Sequence, residues 1–136
     1  MSAINIVVKT LLADSSVTAV FGQRIYPVFV PQAAGPRHIL VYLVHEEDPD
    51  LLAGAGNYRR SRVTVEIRTP GEVPTLFTGS AAVIAALQNK VNFAIAGCVA
   101  TISKEGTDET DASEDTSPSG VPFVVRRIVD FIVWWR

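Results

Sequence analysis

The 136-residue sequence predicts an α+β domain, a mostly antiparallel sheet of about four to five strands with an N-terminal helix pair and one long helix packed on it. Three observations predict it. Apolar residues recur at helical spacing near the N-terminus. Residues 58–68 alternate apolar and polar side chains. The last fourteen residues, Phe123-Val-Val-Arg-Arg-Ile-Val-Asp-Phe-Ile-Val-Trp-Trp-Arg136, form a β-prone run that is largely apolar on both faces.

Taken in order, Ile4, Val7, Val8, Leu11 and Leu12 make residues 3–13 an amphipathic helix, with Ser2 as its N-cap. Asp14 caps a short second helix that turns Val17, Val20 and Phe21 inward and stops at Gly22. Arg24-Ile-Tyr-Pro27 is extended, because a residue before proline avoids helix, and residues 28–37 read as a loop. His38 to His45 is a strand rich in β-branched residues. A loop with Pro49, Gly54 and Gly56 leads to the strand from Tyr58 to Arg68, where Val63, Val65 and Ile67 face one way. Arg62, Thr64, Glu66 and Arg68 face the other, toward water or a polar partner. Residues 73–90 form the long helix, with Phe77, Ala81, Ile84 and Leu87 as its buried stripe. Val99 to Lys104 is a short strand, followed by an acidic loop over residues 105–120 and the C-terminal strand. In that strand Val125, Val129, Phe131, Val133 and Trp135 share one face, and Ile128, Ile132 and Trp134 the other. A strand apolar on both sides is expected to be covered on both, by helices, by a second sheet or by another subunit.

Composition narrows the function. One domain spans 1–136, 48% of it hydrophobic and 19% charged. No apolar run approaches the ~20 residues of a membrane helix, the first residues, Met1-Ser-Ala-Ile-Asn-Ile-Val-Val-Lys9, lack the positive n-region and length expected of a signal peptide, and the single Cys98 excludes an internal disulfide. The expected setting is a reducing cytoplasm. Net charge is −2, but six of the fourteen acids fall between 105 and 115, leaving 12 basic against 8 acidic residues elsewhere. Neither free DNA nor a membrane is an expected partner.

No catalytic set emerges. His38 and His45, seven apart on a strand, point to opposite faces and cannot share an ion; Cys98 has no partner at ligand spacing. Gly54-Ala-Gly56 precedes a strand and opens no helix, so it makes no phosphate loop. Gly79-Ser80-Ala81 lies inside a helix and forms no nucleophile elbow. No cofactor is implied.

The acidic segment is the one feature beyond composition. It reads as a solvated insertion, as a docking arm that orders against a basic partner, or as a weak Ca²⁺ or Mg²⁺ site that does not fit the calcium-loop pattern. Asp108, Glu109, Asp111, Glu114 and Asp115 are its candidate interface residues, and Arg59, Arg60, Arg62, Arg126 and Arg127 are the matching cations. Arg126 and Arg127, on opposite faces of an apolar strand, call for partners or for the solvated end of the strand.

Several of these segments together resemble a known family. They are Ser16-Val-Thr-Ala-Val-Phe-Gly22, Arg24-Ile-Tyr-Pro27, Arg60-Ser-Arg-Val-Thr-Val-Glu-Ile67, the alanine-rich helix, and Asp130-Phe-Ile-Val-Trp134. In this order the chain is similar to the tail-completion, or tail-terminator, proteins of long-tailed bacteriophages, prophages and gene-transfer particles. The acidic insertion is longer than that pattern. The resemblance implies a non-enzymatic virion protein assembled in the host cytoplasm. It implies a homo-hexameric ring on the last ring of the major tail-tube protein, stopping polymerisation and meeting a neck or head-completion protein. Genome DNA would pass through the lumen. The alternatives are a head-closure or connector protein of the neck, and a small-molecule-binding α+β domain using His38, His45 and Cys98.

Overall fold

The computed structural model describes residues 2–31, 37–47, 58–70, 73–88, 90–95, 97–112 and 124–136, with the backbone alone for 106–112. The elements run α1 (Ala3–Ala13), α2 (Ser15–Phe21), β1 (Ile25–Pro27), β2 (His38–Glu47), β3 (Arg59–Pro70), α3 (Val73–Leu87), β4 (Lys90–Ile95), β5 (Cys98–Ala112) and β6 (Val124–Trp135). They form one six-stranded sheet in the order β1-β2-β3-β6-β5-β4, with β1 parallel to β2 and all other neighbours antiparallel. The three helices pack on one face of it.

The helix pair turns on one residue. The Asp14 backbone N–H donates to the Leu11 carbonyl at 3.2 Å and closes α1. Its carboxylate accepts from the Ser16 and Val17 N–H groups at 2.9 and 3.2 Å and opens α2. The two axes meet at 87°. That bend lets Ile6, Val7 and Leu11 of α1 and Val17 and Phe21 of α2 reach a common core. Ser2 caps α1 by accepting from the Asn5 N–H at 3.3 Å. Gly22 ends α2 at φ 61°, a conformation that favours glycine.

The core lies between the helices and the inner face of the sheet. Val63, Val65 and Ile67 of β3 and Val125, Val129, Phe131, Val133 and Trp135 of β6 are buried there, as the alternation predicts. Trp135 Nε1–H donates to Ser61 Oγ at 3.0 Å, and Ser61 Oγ–H donates to Glu46 at 2.8 Å, so this polar edge of the core is satisfied.

The structure corrects four expectations. The sheet has six strands, because Ile25–Pro27 and Lys90–Ile95 pair at its two sides. Both are short and mixed in composition, so neither gives a period-2 signal. The third helix ends at Leu87, and its buried residues are Leu76, Gly79, Ser80, Val83, Ala86 and Leu87. Phe77 and Ala81 of the expected stripe are exposed and Ile84 is half-buried. So many small apolar residues make every face of this helix greasy, and period alone does not select one. The strand expected to stop at Lys104 runs to Ala112 and takes in the first half of the acidic stretch. Backbone pairing to β6 there outweighs the low strand propensity of Asp and Glu. The rest of the stretch, and the tip containing Gly54 and Gly56, fall outside the described residues. The histidines also share a face. His38 lies opposite Arg68 and His45 opposite Arg62, because a bulge between Leu43 and His45 shifts the register by one. They remain about 20 Å apart along the strand, six residues of β3, too far for one ion. The outer face of β6 has no second layer of this chain over it among the described residues, which leaves another subunit as the expected cover. Ile132 is buried and Ile128 half-buried, but Trp134 is 36% exposed.

A Cβ added at Gly79 would lie 2.6 Å from Phe21 Cζ, so glycine is what lets α3 approach α2. We expect Gly79→Ala to destabilise the fold by about 1–2 kcal/mol despite alanine's higher helix propensity. Combined with Phe21→Leu it is expected to cost less than the sum of the two single changes in urea melts. Additive costs would show that Gly79 does not set this packing.

Candidate functional site

The sheet face turned away from the helices is built by β3 and β6. Their register sets Arg62 opposite Ile132, Thr64 opposite Asp130, Glu66 opposite Ile128 and Arg68 opposite Arg126. Period-2 alternation therefore collects the charged residues of both strands on this one side.

Two clusters result. In the first, Asp130 accepts from Thr64 Oγ1–H at 2.6 Å and from Arg62 Nη2–H at 3.0 Å. Arg62 Nε also lies 3.4 Å from Glu105, an ion pair without a well-aligned hydrogen bond. The Asp130 hydrogen bond, with Glu105 behind it, raises the Arg62 pKa further above its ordinary value. In the second, one oxygen of Glu66 accepts from Arg68 Nε and Nη2 at 3.0 and 2.9 Å and from Arg126 Nη1 at 3.0 Å. Glu66 is only 5% exposed, and the two guanidinium groups compensate its buried charge. Tyr42, opposite Thr64, faces both clusters. Burial raises its phenol pKa above 10.0, and the Glu66 and Asp130 carboxylates raise it further.

The candidate arginines fall into two groups. Arg59 and Arg60 stand at one end of the sheet, their guanidinium carbons 5.5 and 5.6 Å from the Trp135 and Trp134 rings. Arg60 also pairs with Glu47 at 2.8 Å. Arg126 and Arg127 stand about 26 Å away along β6, eight residues distant, with Arg127 5.7 Å from the Phe77 ring. Arg62 lies between the groups. Of the acidic candidates, Asp111 is in register with Arg126 and Glu109 with Ile128, while Asp108 lies in the irregular stretch between Glu105 and Glu109. Glu114 and Asp115 lie outside the described residues. The structure thus sets Asp111 beside Arg126 of its own chain and far from Arg59 and Arg60.

Asp130, quoted above only within the Asp130–Trp134 segment, and Tyr42 are members of this face that were not among the candidate site residues. The available signal was an aspartate inside an otherwise apolar strand, which requires a partner. Among the described residues no group of three His, Cys, Asp or Glu side chains could hold a metal ion. No single described helix is long and apolar enough to cross a membrane. A shallow hollow lined by Thr10, Ala13, Asp14, Ala86, Lys90, Phe93 and Ile95 contains neither histidine nor the cysteine.

Solved structures share this fold. A chain of the virion of a native gene transfer agent particle matches with a TM-score of 0.70 at 17% identity, covering 98% of this chain and 98% of that one. A second solved chain matches with a TM-score of 0.55 at 10% identity, over 97% and 96% of the two chains. The likeness is one of fold, spread over the whole domain. No family model matches the sequence, and no curated protein matches it.

Because the Tyr42 pKa is raised, the stability it contributes is present below pH 10.0 and is lost as pH rises through its folded value. Tyr42→Phe is expected to flatten that alkaline loss in melts at stepped pH. Glu66→Gln is expected to move the Tyr42 ionisation down toward the ordinary value, read by phenolate absorbance, and to destabilise the fold by about 2 kcal/mol. An unmoved titration would remove Glu66 as a cause.

Proposed function

We propose that this protein is a structural component of a phage-like virion, a tail terminator that assembles as a homo-hexameric ring. The ring caps the major tail-tube protein, stops its polymerisation and joins the tube to the neck or head-completion protein. The observation that carries this reading is the fold match to a chain of a gene transfer agent virion over 98% of both chains. The ordered sequence segments from Ser16 to Trp134 support it independently.

The architecture suits the role. The two sides of the sheet differ, with β1 on one and β4 and the long end of β5 on the other. A subunit with unlike sides assembles head-to-tail, and such contacts close into a ring when the rotation per copy allows it. The charged outer face is satisfied largely within its own chain, so it stays polar without demanding one partner. Genome DNA would pass through the lumen without sequence-specific contacts.

Electron microscopy of the purified protein mixed with purified tail tubes of the same particle tests this. A ring at a single end of each tube, with elongation halted, is the expected result. Binding to capsid portals with bare tube ends would favour the head-closure or connector reading instead.

A further inference from the structure

The two lateral flanks of the sheet carry opposite charge at the same height. On one flank, β4 covers β5 only between Cys98 and Ile102. From Ser103 to Ala112 β5 has β6 on one side and no strand on the other among the described residues. An open strand edge is a template for pairing with another chain. This edge leads into the stretch 105–115, which holds six carboxylates and no lysine or arginine.

The opposite flank is β1, paired only with β2. Residues 15–45 contain Arg24 and Arg37 and no carboxylate at all. Arg24 directly precedes β1, and its carbonyl accepts from the Ile39 N–H at 2.9 Å; Arg37 directly precedes β2. Following the register from His38 to Arg68, to Arg126 and to Asp111 places these arginines level with the acidic stretch of β5. Four strand spacings of about 4.8 Å separate the flanks, roughly 19 Å, which exceeds the ~8 Å screening length at physiological salt. Within one copy the flanks do not neutralise each other.

The same flank has an apolar end. The Phe29 N–H bonds the Pro27 carbonyl at 2.8 Å across Val28, whose φ is 70°. This γ-turn is strained for a β-branched residue. It leaves Val28 63% and Phe29 72% exposed at the end of β1 away from Arg24. Local strain that holds two apolar side chains in water points to a surface covered on assembly.

We propose that the acidic open edge of β5, residues 103–112, packs against the Arg24–Arg37–Phe29 flank of the next copy of this chain. This inference rests on the ring reading and names its lateral interface. Each copy uses each flank once, as a head-to-tail ring requires.

Hydrogen exchange of the wild-type protein, dilute and assembled, tests the interface without altering it. Amides of residues 24–31 and 103–112 are expected to slow by about tenfold or more on assembly, while β4 stays unchanged. Charge reversal provides a second measurement. Arg24→Glu with Arg37→Glu, and separately Asp108→Lys with Glu109→Lys and Asp111→Lys, are each expected to lose assembly alone and to recover it when mixed in equal amounts. A ring that forms with both flanks unprotected, or reversed variants that assemble alone as well as wild type, would overturn the interface and leave the ring standing. Wild-type protein that forms no oligomer at any concentration would overturn both. Retention of a DNA fragment that is lost on Arg24→Glu with Arg37→Glu, with assembly unchanged, would assign the basic flank to nucleic acid and sink the proposal.

Discussion

The antiparallel pairing of β3 with β6 is the constraint on which the rest of the molecule depends. It runs unbroken from Arg59 opposite Trp135 to Pro70 opposite Val124. Its inner side carries the aliphatic and aromatic residues that the three helices bury, and its outer side carries Arg62, Thr64, Glu66, Arg68, Arg126 and Asp130. A slip of one residue in either strand would turn Asp130 or Glu66 under the helices and Val129 or Val65 into water. The hydrogen bonds of Asp130 to Thr64 and Arg62, and of Glu66 to Arg126, exist only in the observed register. The charged face therefore acts as a lock on the apolar one.

With that central pair fixed, the flanks become different from each other. β1 is three residues long and β4 six, while β5 runs fifteen and outreaches its neighbour. Short or bulged edges limit uncontrolled sheet extension. The open edge of β5 also bears dense negative charge, which disfavours pairing with a second copy of itself. Negative charge on an edge strand disfavours uncontrolled strand addition, and in the proposed ring the same residues would select an unlike flank.

The parts of the fold legible in the sequence are those where local chemistry and tertiary context agree. Ser2 and Asp14 announce their helices, and the caps are in place. The alternation around Val63-Thr-Val-Glu-Ile67 reports both the strand and its buried side. Where the two disagree, the reading fails. Asp and Glu argue against a strand, yet residues 105 and 109–112 pair with β6. A seven-residue spacing argues for opposite faces, yet the bulge after Leu43 returns His45 to the side of His38. Of the candidate site, the cationic and anionic residue types were legible, but not the split of the arginines between two ends of the sheet. That split follows from antiparallel register, which composition does not encode.

The central claim is that this domain, with two unlike flanks, closes into a ring of six. Native mass spectrometry of the purified protein at physiological ionic strength tests it most directly. The account predicts a species of about 88 kDa, six times the 14.7 kDa chain, reached without an open series of larger polymers. A 14.7 kDa monomer at every concentration, or a ladder that grows without closing, would contradict it.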